Sequence, residues 1–138
     1  MDNDHKGRVL IVEDDMLLSM VEERLINKLG YEVVGKVTKG ADAVDKADEL
    51  KPDVIVMDIS LKGDMDGIET VEKFVRSPVR LLFISLGSGD RYSYERAKKT
   101  GFTDYLTKPI TSGDLKEPLS SAVNGGSHRS SHKFNKTA

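Results

Sequence analysis

The sequence predicts an α/β domain: a doubly wound sheet of five parallel strands with helices on both faces. Two observations carry this expectation. Short apolar runs alternate with stretches of helical period along most of the chain, which is the pattern of strands joined by right-handed helical crossovers. The runs Val54-Ile55-Val56-Met57 and Leu81-Leu82-Phe83-Ile84 are apolar at every position, as expected of central parallel strands buried on both sides.

In chain order, strands are expected at 8–12, 32–36, 54–57, 79–85 and 103–106. Between the first two, Leu17, Val21, Leu25 and Leu29 recur every four residues and stop at Gly30. Between the next two, Val44, Ala47 and Leu50 recur every three and stop before Pro52. A short third helix is expected at about 67–76 and a fourth at about 91–100, ended by Gly101. The fifth, at 112–123, sets Leu115, Leu119, Ala122 and Val123 on one face and is ended by Gly125-Gly126. Pro118 lies well inside it. A proline there loses a hydrogen bond and clashes with the preceding turn, at about 3 kcal/mol, so this helix is expected to be kinked or to begin late. For a doubly wound sheet of this size the expected strand order is the flavodoxin-like 2-1-3-4-5.

The 138 residues suit one domain. Residues 1–7 read as a polar N-terminal segment, 8–124 as the domain, and 125–138 as a basic tail expected to be disordered. The tail holds Arg129, Lys133 and Lys136 and no acid, which leaves 18 cations against 23 acids, a net −5, for residues 1–126. The whole chain is close to balanced at −2 and offers no general electrostatic reason to bind nucleic acid or an anionic membrane. The absence of cysteine excludes disulfides, thiolate catalysis and Cys-based zinc sites. No apolar run approaches the roughly 20 residues that span a bilayer, and the polar start Met1-Asp2-Asn3-Asp4-His5-Lys6 has no signal-peptide core, so a cytoplasmic protein is expected.

In open parallel sheets, ligands sit beyond the carboxyl ends of the strands. The first strand delivers Glu13-Asp14-Asp15 there, the third Asp58, the fourth Ser85, and the fifth runs into Lys108-Pro109. Each has an ordinary reading alone. An acidic triplet before a helix is commonly a cap, and Asp14 or Asp15 would serve as one; Ser85 would be a strand-end hydroxyl, and Lys108 a solvated charge. Together they are more specific. Converging carboxylates repel, and a hard divalent cation such as Mg2+ relieves them. A lysine and a hydroxyl facing that cluster would hold phosphoryl oxygens, and a carboxylate can itself accept a phosphoryl group.

These residues resemble the response-regulator receiver family over about residues 8–123. Val9-Leu10-Ile11-Val12-Glu13-Asp14-Asp15 is similar to its first strand and acidic pair, and Met57-Asp58-Ile59-Ser60-Leu61 followed by Asp66-Gly67 to its phosphoacceptor segment. Ser85 stands where the family has Thr or Ser, and Tyr105-Leu106-Thr107-Lys108-Pro109 resembles its aromatic and Lys-Pro. The resemblance implies that Asp58 is the phosphoacceptor and that Glu13, Asp14, Asp58 and the Ser60 backbone carbonyl hold Mg2+. It further implies that Lys108 contacts the phosphoryl group, that Ser85 turns toward it, and that Tyr105 moves inward behind Ser85; simple packing on an outer strand is the plainer role for Tyr105. The Lys108-Pro109 bond is cis in the family. The donor would be a histidine kinase or histidine phosphotransfer protein and the output a change in binding to a downstream protein, in a chain that assists its own phosphorylation and dephosphorylation rather than turning over a separate substrate.

The chain departs from the family in places. The interval from Asp58 to Asp66-Gly67 is one residue longer than in the commonest members, and Arg76-Ser77-Pro78 leads straight into the fourth strand. Leu86 replaces the usual Ala or Gly and is expected to narrow access to Asp58. Pro118 is expected to distort a face that many members use for dimerisation or target binding. A receiver-like interaction module that is never phosphorylated is the alternative, against which the joint presence of Glu13, Asp14, Asp58, Ser85 and Lys108 argues. A phosphatase with an aspartate nucleophile would want a second Asp two residues beyond it on the first strand, and a flavin carrier would want hydroxyls and glycine amides where Glu13-Asp14-Asp15 stand.

Overall fold

The computed structural model describes residues 6–59, 61, 69–70, 72–73, 80–85, 91–99 and 104–124, with the backbone alone for 80–85, 93 and 96. The elements are β1 (Arg8–Val12), α1 (Met16–Lys28), β2 (Glu32–Val37), α2 (Gly40–Leu50), β3 (Val54–Asp58), β4 (Arg80–Ser85), α3 (Arg91–Lys98), β5 (Asp104–Thr107) and α4 (Ser112–Val123). The five strands form one sheet in the order β2-β1-β3-β4-β5, and every pairing is parallel. Strand limits fall within one or two residues of those expected. The helix expected at about 67–76 and the tail 125–138 lie outside the described residues, apart from a helical Glu69 and Thr70 and a turn at Glu72 and Lys73.

Side chains on successive strand residues point to opposite faces, and the core accordingly has two halves. Leu10, Val12, Ile55, Met57 and Tyr105 pack with Ala43 and Ala47 of α2 and Ala97 of α3. Val9, Ile11, Val54 and Val56 pack with Ile26 of α1 and with Leu115, Leu119 and Ala122 of α4. The parallel sheet is therefore covered on both sides, which is what its wholly apolar central strands require. Gly35 of β2 marks a close approach of strand and helix: a Cβ there would meet Leu50 Cδ1 at 3.0 Å and Leu10 Cδ1 at 3.2 Å.

α1 departs from the expected pattern. Its buried residues are Ser19, Glu22 and Ile26, whereas Leu17 is 73% exposed and Val21 48%. The cause is geometric. At 3.6 residues per turn each four-residue step advances about 40°, so a stripe running from Leu17 to Leu29 drifts about 120° around the helix. Only its later members, Leu25 and Leu29, reach the core, and they do so partly. Gly30, at φ +101°, then turns the chain into β2 in the left-handed conformation that favours glycine.

α4 begins at Ser112 despite Pro118, so the expected late start does not occur. A reciprocal capping box sets its first turn: Thr111 Oγ1 accepts from the Asp114 N–H at 3.2 Å, and Asp114 Oδ2 from the Thr111 N–H at 3.0 Å. Pro118 is itself buried in the helix interior. Its missing N–H leaves one turn without a helical bond.

Candidate functional site

The chemistry-bearing residues collect where β1, β3 and β5 end. Asp58 is the last residue of β3, Glu13 and Asp14 follow β1 directly, and Lys108 follows β5. Asp15 serves as the N-cap of α1, its Oδ1 accepting from the Leu17 and Leu18 N–H groups at 2.9 and 3.0 Å. That cap fixes the turn after β1 and so the direction in which Glu13 and Asp14 leave the strand. The Glu13 N–H donates to the Val37 carbonyl at 3.0 Å, which extends the β1 to β2 ladder by one residue and holds Glu13 in line with its strand.

One carboxylate oxygen each from Glu13, Asp14 and Asp58 lies within 4.8 Å of the others. Glu13 and Asp58 are buried and Asp14 is partly exposed. Lys108 joins this group, with Nζ 2.7 Å from Glu13 Oε1 and 3.5 Å from Asp58 Oδ2. Glu13 Oε2 accepts a further bond from the Asp15 N–H at 3.2 Å. Burial alone would lower the Lys108 pKa, but its hydrogen bond to Glu13 and the fields of Asp58, Glu13 and Glu22 outweigh burial and raise it. Lys108 is thus held as an ammonium. The peptide bond between Lys108 and Pro109 is cis.

Three formal negative charges face one positive charge, an excess that a divalent cation would balance. Oxygen donors alone suit a hard ion, and small side-chain rotations would bring this group to the roughly 3–4 Å spacing of oxygens sharing one Mg2+. The donor set therefore fits Mg2+.

Ser85 ends β4 opposite Thr107, one position beyond the Asp58 to Ile84 pairing, which puts its backbone at the same rim. Its side chain, and the whole of Ser60 and Leu86, lie outside the described residues. Tyr105 is fully buried, and its ring meets that of Tyr94 edge to face at 5.0 Å. Sequence reasoning passed over one member of the site. Glu22 of α1 is 3% exposed and interacts electrostatically with Glu13. Burial, the contact with Glu13 and the Asp58 field push its carboxyl up to about 9, against the opposing pull of Lys108. The available signal was its place midway in the four-residue series Leu18, Glu22, Ile26.

A 2-1-3-4-5 parallel sheet that gathers an acidic cluster and a lysine at its carboxyl rim defines a class of phosphate-responsive signalling domain. Comparison with known families is specific: the response regulator receiver domain matches residues 9–120, and the chain belongs to that family. It is 35% identical to the chemotaxis protein CheY of Thermotoga maritima over 113 residues, 81% of this chain and 93% of that one. It is 33% identical to the transcriptional regulatory protein PdtaR of Mycobacterium tuberculosis over 84% of this chain, but spans only 56% of that longer protein. The solved receiver domain of a diguanylate cyclase from Desulfovibrio desulfuricans superposes with a TM-score of 0.79 at 32% identity, covering 86% of this chain and 94% of that domain. Receiver domains are the phosphoacceptors of two-component signalling; they typically bind Mg2+ in an acidic pocket and take phosphate from histidine kinases or phosphotransfer proteins. No helix among the described residues is long and apolar enough to cross a membrane.

Proposed function

We propose that residues 8–124 form a phosphorylation switch in which Asp58 accepts a phosphoryl group from a histidine kinase or histidine phosphotransfer protein. The observation that carries this reading is the Lys108 ammonium standing 2.7 Å from Glu13 and 3.5 Å from Asp58, with Asp14 closing the acidic group. In the step, an Asp58 carboxylate oxygen attacks phosphorus, the P–N bond to the donor imidazole breaks, and the imidazole leaves with that electron pair. Glu13, Asp14, Asp58 and the Ser60 carbonyl would hold Mg2+, which supplies positive charge to the phosphoryl oxygens.

Lys108 exchanges its contact with Glu13 for one with the phosphoryl group. The ammonium then neutralises an oxygen of the transferred group while its stem stays buried. Ser85 donates a hydrogen bond to another phosphoryl oxygen, and Tyr105, already in the core, occupies the space behind it. Phosphorylation shifts an equilibrium between two arrangements of this rim and so changes binding to a protein target. The chain acts as a signalling phosphoacceptor in the cytoplasm, and its own residues assist both gain and loss of the phosphate.

Intact-mass measurement after treatment with acetyl phosphate, with and without Mg2+, tests the reading. The parent should gain one phosphoryl mass only with Mg2+, and Asp58→Ala none. An adduct that persists in Asp58→Ala would move the acceptor elsewhere and overturn the assignment.

A further inference from the structure

The end of the sheet opposite Asp58, where the parallel strands begin, holds a cleft of about 470 Å3 that the phosphoryl transfer just described does not use. Lys6 just ahead of β1, Tyr31 just ahead of β2 and the later turns of α4 converge on it. Clefts of about 300–1,000 Å3 with apolar walls and a few polar groups are the usual form of small-molecule sites. Here Leu29, Tyr31 and Val123 supply apolar wall, and Lys6, Lys116, Ser120 and Asn124 supply the polar groups.

The charged groups of the cleft are of one sign. No acid lines it, and neither lysine forms a salt bridge among the described residues. The carboxyl ends of α1 and α4 bring about half a negative charge each, so the two ammoniums leave an excess of about one positive charge. Lys6 is set in place beforehand. Its N–H donates to the Gly30 carbonyl at 2.7 Å, and its stem lies on Gly30, where an added Cβ would meet Cε at 3.2 Å and Cδ at 3.3 Å. Its Nζ stands 6.0 Å from the Tyr31 ring centroid. On the facing wall, Asn124 Nδ2 donates to Ser120 Oγ at 3.2 Å, so the Ser120 O–H and the second Nδ2 hydrogen remain as donors for a ligand.

We propose that this cleft binds a small organic anion with an apolar body, of the class of aromatic carboxylates and phosphate esters: Lys6 and Lys116 take the charged head, and Leu29, Tyr31 and Val123 take the body. Charge sets the chain's own tail aside as the occupant, since residues 125–138 carry Arg129, Lys133 and Lys136 and no acid. The site needs no metal and stands independently of the phosphoacceptor reading.

The test is titration of the full, 15N-labelled chain with naphthalene-1-sulfonate, an aromatic anion, followed by amide chemical shifts. Two companion probes separate its parts: naphthalene-1-sulfonamide keeps the rings without the charge, and methanesulfonate keeps the charge without the rings. The aromatic anion should shift Gly30, Tyr31, Ser120 and Asn124, and both companions should bind about tenfold more weakly or worse. Lys6→Gln and Lys116→Gln should each weaken the aromatic anion about tenfold, the loss of one charge-assisted contact, while Lys39→Gln at the opposite rim should leave it unchanged. All three lysines are exposed, and thermal unfolding checks that the variants fold as the parent does. Absence of shifts at millimolar probe would overturn the proposal, as would equal binding of either companion or parental affinity in both cleft variants. Shifts confined to the exposed Met16, Leu17 and Met20 of α1 would mean adsorption to an apolar surface and would overturn it as well.

Discussion

Lys108 and Lys36 each place an ammonium 2.7 Å from a glutamate oxygen, and the two pairs should nevertheless contribute very differently to stability. In the Lys36 and Glu23 pair the side chains are 37% and 35% exposed, so water screens the attraction and the net contribution is about 0–1 kcal/mol. In the Lys108 and Glu13 pair they are 9% and 1% exposed, and Asp58, 2% exposed, shares the same ammonium at 3.5 Å. Replacing Lys108 by Met keeps the apolar stem but strands two buried carboxylates. Breaking a buried pair costs about 3–5 kcal/mol. Because Glu13 keeps its bond to the Asp15 N–H, the low end of that range, about 3 kcal/mol, is expected here. At about 4 °C per kcal/mol for a domain of this size, Lys108→Met should unfold about 12 °C below the parent, and Lys36→Met no more than about 4 °C below it. The assay is thermal unfolding by circular dichroism in EDTA, repeated with Mg2+, which should recover part of the Lys108→Met loss. A loss for Lys108→Met no larger than for Lys36→Met would refute the claim that Lys108 is the charge compensating this rim.

Three further outcomes are expected. Glu22 is pushed up to about 9 in the folded chain from an ordinary 4.5, so between those values the fold holds a proton that the unfolded chain releases. Its contribution is therefore present at low pH and lost as pH rises, with a limiting slope of about 1.4 kcal/mol per pH unit; urea unfolding in EDTA should show the parent losing stability relative to Glu22→Gln between about pH 5.5 and about pH 8.5, and parallel curves would mean that Glu22 is ionised in the fold. On α1, Leu17→Ala should change stability by under about 0.5 kcal/mol and Ile26→Ala by about 2–5 kcal/mol, since the first is 73% exposed and the second wholly buried; the reverse order, by urea unfolding, would mean that α1 is rotated relative to the sheet. If Leu86 restricts access to Asp58, Leu86→Ala should be labelled faster by acetyl phosphate, and equal rates by intact mass would remove Leu86 from the account.

The fold was legible in the sequence because its signals are local. Runs such as Val54 to Met57 and the stops at Gly30 and Pro52 mark strands and helix ends with no knowledge of what they pack against. The carboxyl-end rule then names Glu13, Asp14, Asp58, Ser85 and Lys108 as neighbours across almost a hundred residues of chain. The Pro118 expectation failed in one respect because a local penalty was weighed without the capping box at Thr111 and Asp114, which sets the helix start.

The order of strands and helices, the shared rim and the residue types available there follow from short-range periodicity and from the direction in which parallel strands point. Which face of α1 turns inward, and with it the place of Glu22, depends on packing across the whole fold. A four-residue repeat drifts around a helix, so the choice between Leu17 and Glu22 as the buried side chain is made by where α1 lies on the sheet and by the carboxylate of Glu13 waiting beneath it.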